Sequence, residues 1–426
     1  MNHCLRFVAA FCFAVALPAA EPPNVVLIIS DDQHWGDYGF MGHPHIQTPH
    51  LDKLASQSLL FTRGYVPSSL CCPSLATIIS GQYPHQNFIT SNDPPSAKGQ
   101  ARMKPSDPAF QKGREVFNQH MDKLATLPRL LGQRGYASFQ TGKWWQGDFT
   151  RGGFTHGMTK GTRHGDEGLK IGRETMQPIY EFVDQAVAQK KPFFVWYAPM
   201  LPHDPHTPPE RLLAKYRDKT PSLHIAKYWA MVEWFDETCG ALLQFLEDRK
   251  LAENTIVIYV TDNGWIQQPE APRYAPRSKQ SPYDGGLRTP ILVRWPGKLS
   301  PRKSDDLAMS IDIAPTVLRA AGAVPSAEMT GLDLLDAAAV SKRKSIYGEV
   351  FTHNSVDLHV PAASLRWRWM IDGDYKLIVP HAANEPDAKV ELYRIASDVH
   401  EQKNLAAEQP DTVSILTEKL NAWWKP

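Results

Sequence analysis

Two apolar runs in this chain stop abruptly on acidic residues. Asn24-Val-Val-Leu-Ile-Ile-Ser30 leads straight into Asp31-Asp32, and Thr255-Ile-Val-Ile-Tyr-Val-Thr261 into Asp262-Asn263-Gly264. Each run reads as a buried strand, and in an open α/β sheet ligands bind beyond the carboxyl ends of the strands. The acids therefore fall on one rim. Asp-Asp after a strand also serves as a helix cap, and Asp-Asn-Gly as a turn; finding both on one rim favours a site. Carboxylates gathered there repel one another unless a cation binds among them. An all-oxygen set with an amide carbonyl suits Ca²⁺, or less well Mg²⁺, rather than Zn²⁺. A third feature is Ser69-Leu-Cys71-Cys72-Pro73-Ser74, followed by Leu75-Ala-Thr-Ile-Ile-Ser80 and Gly81. Pro73 suits a first helical turn and Gly81 a C-terminal cap. Cys71 then sits at a helix N-terminus, where the dipole favours an anion and lowers a thiol pKa.

The elements that must carry these residues alternate between strand and helix, as in a mainly parallel sheet covered on both faces. Strands are predicted at Val25–Ile29, Tyr136–Gln140, Phe193–Ala198, Thr255–Val260 and Pro290–Trp295, and helices at Leu127–Arg134, Ile225–Leu246 and Asp312–Ala321. Cys239 falls on the apolar face of the second helix and reads as core. The polar, Pro-containing stretch Ser91–Gln119 reads as a long surface insertion. After about Lys344 short antiparallel strands are expected at Ser345–Val350, Trp367–Ile371 and Tyr375–Val379, with a last helix over Pro410–Trp424. The expected plan is a leader over 1–20, a catalytic domain over 21–344 and a C-terminal subdomain over 345–426.

Bulk properties narrow the function. The chain has 426 residues, 42% of them hydrophobic, with 46 basic and 45 acidic residues and a net charge of +1. No basic block suggests nucleic acid or a membrane surface. Arg6, the apolar run Phe7–Leu17 and Pro18-Ala19-Ala20 resemble a secretory signal, too short for the ~20 residues that span a bilayer. Export is expected, without stable membrane insertion. The three cysteines beyond the leader, Cys71, Cys72 and Cys239, do not make a disulfide framework.

Cys71-Cys72-Pro73-Ser74-Leu75-Ala76-Thr77-Ile78-Ile79-Ser80-Gly81 resembles the signature of the sulfatase family, within the alkaline-phosphatase superfamily: C-x-P-S-R, two residues, two aliphatics, Ser or Thr, Gly. Thr48-Pro-His-Leu-Asp52, Gly142-Lys143-Trp144, Pro202-His203-Asp204-Pro205-His206, Thr261-Asp262-Asn263-Gly264 and Lys279-Gln-Ser-Pro-Tyr283 through Arg288-Thr-Pro290 follow in the family's order. The resemblance implies an alkaline-phosphatase-like α/β fold with a small C-terminal antiparallel sheet plus helix. It implies that Cys71 is oxidised by a formylglycine-generating machinery. The hydrated aldehyde attacks sulfur through one hydroxyl, and its other hydroxyl loses a proton to expel sulfate. Asp31, Asp32, Asp262 and Asn263 would hold Ca²⁺, Lys143 and Lys279 would bind the sulfuryl oxygens, and His203 would protonate the leaving group. A sulfated saccharide is the expected substrate.

Two residues depart from the pattern. Leu75 replaces the signature Arg, which in the family helps hold the nucleophile, offsets the anionic cluster and also belongs to what the modifying enzyme reads. Trp145 replaces the His of G-K-W-H, which assists proton removal from the diol. Three readings follow: a sulfatase with these functions supplied differently, His156 being one stand-in; a superfamily hydrolase of phosphate or phosphonate esters with Cys71 left as a thiol; or a carbohydrate-binding pseudoenzyme with Trp144 and Trp145 as a stacking platform.

Overall fold

The computed structural model describes residues 21–96 and 103–426, and the expected leader over 1–20 lies outside the described residues. Strands β1 (Asn24–Ser30), β2 (Leu59–Tyr65), β3 (Ala137–Gly142), β4 (His156–Gly157), β5 (Phe193–Ala198), β6 (Thr255–Thr261), β7 (Arg288–Arg294) and β8 (Arg302–Met309) form one eight-stranded sheet in the order β4-β3-β5-β1-β6-β7-β2-β8. β7 runs antiparallel to β6 and β2; the remaining pairs are parallel. The mainly parallel sheet expected from the apolar runs is therefore present.

Every residue of β1, β3, β5 and β6 is buried, because helices cover both faces. Val25, Leu27 and Ile29 share one core with helices Cys71–Ser80, Leu127–Gly132 and Ile313–Ala320. Val26 and Ile28 share the other with Pro49–Ser56, Gln177–Ala188 and Leu223–Asp248, whose Cys239 is the core residue its spacing predicts. No helix among the described residues is long and apolar enough to cross a membrane.

Register places the site. β1 and β6 pair in step from Asn24–Thr255 to Ser30–Thr261, so Asp31 and Asp262 leave the sheet side by side. β3 pairs with β5 up to Gly142–Ala198, so Lys143 leaves on the same rim.

One expectation is corrected. The stretch Ser91–Gln119 is not merely a surface insertion: Pro108–Asp122 is a helix that buries Phe110, Arg114, Phe117 and Met121. Its buried face carries only three large apolar side chains, Phe110, Phe117 and Met121, so the segment's average polarity hides it. The edge strand β8 was hidden for the same reason, since its first five residues are largely solvent-facing.

The C-terminal strands β9 (Ser345–Phe351), β10 (Leu365–Asp372), β11 (Tyr375–Pro380) and β12 (Glu391–Arg394) form an antiparallel sheet in the order β12-β11-β10-β9, with helix Pro410–Trp423 against it. This sheet is joined to the main body by charge as well as by apolar contact. Lys376 on β11 is fully buried, with Nζ 2.7 Å from Asp284 Oδ1 and 2.7 Å from Glu401 Oε1. Asp284 lies five residues beyond Lys279 and also accepts from Tyr65 Oη at 3.0 Å. Replacing Lys376 by Met leaves two buried carboxylates facing each other, and breaking such a pair costs about 3–5 kcal/mol. Denaturant unfolding should show that loss for Lys376→Met; a change below about 1 kcal/mol, the worth of an exposed pair, would contradict it.

Candidate active site

Successive strand residues point to opposite faces, so Asp31 and Asp32 could not share a site in a straight strand. Asp32 breaks the alternation by adopting a left-handed conformation (φ 63°), which Asp tolerates better than most residues. Asp262 Oδ1 holds the turn, accepting from Asp32 N at 3.0 Å and from Asn263 N at 2.7 Å. Lys143 follows Gly142, whose φ is 72°; a Cβ there would lie 1.9 Å from Ala198 O, so only glycine lets β3 end this close to β5. Lys279 comes from the loop between β6 and β7, which is tied to the Cys71 loop where Gln280 N donates to Ser69 O (2.8 Å) and Ser69 Oγ donates to Ser281 O (2.7 Å).

These loops bring all eight predicted residues together. Lys143 Nζ lies 2.6 Å from Asp31 Oδ1 and 3.6 Å from Asp262 Oδ2. Lys279 Nζ lies 2.7 Å from both Asp32 oxygens and 3.0 Å from Cys71 Sγ. Asn263 Nδ2 donates to Asp32 Oδ1 at 2.6 Å. His203 Nε2 is 3.4 Å from Asp32 Oδ2, while its Nδ1 sits 2.9 Å from Asp204 Oδ1. Cys71 begins the helix Cys71–Ser80, which ends on Gly81 in the left-handed conformation.

Charge sets the protonation states. Burial opposes the charge on His203, but Asp31 and Asp32 outweigh it and push the pKa up to about 10. Burial raises the Cys71 thiol, and Lys143 with Lys279 more than reverse this, bringing it down to about 7. Burial and the neighbouring Asp31 push Asp262 well above the carboxylate range.

The donor set fits a hard cation. Asp31, Asp32, Cys71 and His203 each offer a ligand atom within 4.8 Å of the others. Asp31 Oδ2, Asp262 Oδ2 and Asn263 Oδ1 are buried acceptors with no hydrogen-bond partner. Unsatisfied buried acceptors are costly, and three of them from the four predicted ligands call for a cation.

The cavity beside Cys71 measures about 490 Å³, and its walls include Asn92, Trp145, Arg163, His164, Tyr274 and Lys279. Arg163 and His164 escaped the sequence reading; the signal available was a polar, glycine-rich run, Gly161 to Gly168, soon after Gly142-Lys143-Trp144. His164 stands nearer the site than the suggested stand-in, His156. That residue is exposed on β4, bonded to Thr155 and packed against Phe182, and takes no part in the cavity wall. His164 is no replacement base either. Arg163 Nη1 lies 2.6 Å from His164 Nε2, and a guanidinium can only donate, so Nε2 accepts and Nδ1 carries the proton. Burial, Arg163 and Lys143 depress its pKa far below the ordinary range, leaving a neutral donor.

The tryptophans form no open platform. Trp144 is buried edge-on to Phe154 and Trp196. Trp145 is buried with Arg163 at 4.7 Å and Arg114 at 5.4 Å from its ring, and its Nε1 has no hydrogen-bond partner. Leu75 is buried in the core shared with β1.

A mainly parallel sheet whose central strands deliver carboxylates beside a helix-borne thiol defines an alkaline-phosphatase-like hydrolase. The Sulfatase family profile matches residues 23–323, and the profile for the C-terminal part of N-sulphoglucosamine sulphohydrolase matches residues 277–424. N-acetylgalactosamine-6-sulfatase of Canis lupus familiaris is 28% identical over 369 residues, covering 76% of this chain and 67% of its own. Arylsulfatase A of Homo sapiens is 29% identical over 377 residues, covering 75% and 68%. The crystal structure of Ps i-CgsB in complex with k-i-k-neocarrahexaose superposes with a TM-score of 0.74 at 20% identity, over 95% of this chain and 93% of that one. The chain belongs to the sulfatase family of sulfuric ester hydrolases.

Cation binding has a readout that needs no substrate. Calcium at a hundred times its dissociation constant should stabilise the folded protein by about 2.7 kcal/mol, seen as a raised melting temperature. The rise should vanish on chelation and in Asp262→Asn, which loses one charge of the site.

Proposed function

We propose that the protein removes sulfate from a sulfated saccharide, with formylglycine derived from Cys71 as nucleophile. The observation that carries this reading is the placement of Cys71 Sγ, at a helix N-terminus, 3.0 Å from Lys279 Nζ and within one cluster with Asp31, Asp32 and His203. Asp31, Asp32, Asp262 and Asn263 would hold the divalent cation, calcium by donor type, which supplies charge to offset that on the sulfuryl oxygens. Lys143 and Lys279 add two buried ammonium groups that hold those oxygens in line with position 71. His203, kept protonated by Asp31 and Asp32, faces the site through Nε2 and is the acid for the departing sugar oxygen. The saccharide substrate is supported by the relatives' names and by the oligosaccharide in the Ps i-CgsB complex. Export, expected from the leader, would expose the enzyme to such polymers.

One observation favours a second reading. Lys143 and Lys279 hold the Cys71 thiol near pH 7, so unmodified Cys71 would carry substantial thiolate, a nucleophile suited to phosphate or phosphonate esters.

Mass spectrometry of the Cys71 peptide from the native host, paired with assays on aryl sulfate and phosphonate esters, separates the two. Aldehyde at position 71 with preferential sulfate-ester turnover is expected. A uniform thiol in an active enzyme would sink the formylglycine route. Cys71→Ala should abolish turnover, and Asp262→Ala should cost at least about 10³-fold in kcat, the scale of losing a preorganised charge.

A further inference from the structure

The absent signature arginine leaves a gap in the chemistry that another part of the fold is built to fill. Leu75 lies four residues after Cys71 on one helix, so the two share a face, and a long side chain at 75 would lean back toward Cys71. Here that position is apolar and packs in the same core as Phe117 and Met121, both from the helix Pro108–Asp122. The same helix also carries Arg114, which is buried. Its Nη1 donates to Asn92 O at 2.8 Å, and its Nη2 donates to Trp145 O. Asn92 in turn accepts through Oδ1 from Cys72 N at 2.9 Å. One cation therefore ties the turn that carries Cys71 to the segment that carries Lys143. Among the described residues no carboxylate lies within ion-pair distance of Arg114. Burying a guanidinium on two carbonyl oxygens and the rings of Phe117 and Trp145, with no carboxylate in ion-pair distance, is costly and keeps a positive charge beside the nucleophile turn.

We propose that Arg114 takes over the folded-state role of the missing signature arginine, as a positioning residue that holds the Cys71–Cys72 turn against Lys143–Trp145 and keeps a positive charge beside it. The inference rests on the sulfatase reading above. Arg114 lies 39 residues beyond Leu75 and meets the turn only after folding, so it cannot contribute to the linear signature.

Arg114→Ala and Arg114→Lys, made in the full chain and produced in the native host, test this. For Arg114→Ala, Cys71 conversion should match wild type while kcat/KM on an aryl sulfate falls about a hundredfold, the scale of a displaced reactive group. Millimolar guanidinium should restore about tenfold of that loss by entering the neighbouring cavity of about 390 Å³ that Arg114 lines. The inhibition constant of inorganic sulfate should rise for Arg114→Ala and less for Arg114→Lys, a shift that loss of stability alone would not produce. Activity within about threefold of wild type, a loss that tracks failed Cys71 conversion, or a loss with unchanged sulfate inhibition and no guanidinium rescue each overturns the proposal. Wild-type protein that turns over no sulfate ester would instead remove the sulfatase reading itself, and this inference with it.

Discussion

Everything about this site follows from burying three carboxylates, Asp31, Asp32 and Asp262, at the ends of two adjacent parallel strands. In a poorly solvated rim each ionised acid is costly, and mutual repulsion adds to that cost. The fold answers with Lys143, Lys279 and protonated His203, all within ion-pair distance of an aspartate. Asp31 and Asp32 then face these three positive groups, while burial and the neighbouring Asp31 push Asp262 toward its protonated form. A divalent cation added among the orphaned oxygens gives the site a net positive charge, the condition for holding an anionic ester. The backbone devices serve this arrangement: the in-step pairing of β1 with β6, the left-handed Asp32, and Gly142 pressed onto Ala198.

The cavity wall beyond that cluster carries several donors, and Asp204 and His353 line it as well. Arg163 is held by Asp93 at 2.8 and 3.1 Å and fixes His164 as a neutral donor; Trp145 presents an indole N–H with no partner. Such donors stabilise negative charge as it builds on oxygen. On the proposed reading, binding of the ester and attack on it draw on the residues present. Release of sulfate, the step served in the family by the histidine that Trp145 replaces, is not supplied by His164 or His156.

The sequence carried much of this, and the reason is physical. Strands buried on both faces appear as unbroken apolar runs, so β1, β5 and β6 were legible almost to the residue, and the acids at their ends were legible with them. Lys143, His203 and Lys279 needed the motif, since a lone basic residue in a loop has no periodicity to mark it. β8 and the helix Pro108–Asp122 were obscured because only part of each surface is buried, which dilutes the apolar signal. β2 was obscured because Thr62, Arg63 and Gly64 interrupt its apolar run, although six of its seven residues are buried. Arg163, His164 and Arg114 were invisible for a stronger reason. Their positions depend on tertiary contacts with Asp93, Trp145 and Asn92, far apart in the chain, and no local pattern reports a contact of that kind.

That last point bears on what losing the signature arginine means. On the resemblance to the family, an arginine at position 75 would serve twice: in the linear signature that the modifying machinery reads, and in the folded site beside the nucleophile. A guanidinium delivered by the helix Pro108–Asp122 can restore the second only, because it reaches the Cys71–Cys72 turn after the chain has folded. The apolar Leu75 and the apolar stripe of that helix belong to the same core, so an Arg at 75 would replace an apolar side chain of that core with a charge. The two positions are consequently coupled. With Leu75 in that core, a positive charge beside the turn enters from the side of Arg114, and on the formylglycine reading proposed above any modification would rely on what remains of the signature around Cys71, Pro73 and Ser74.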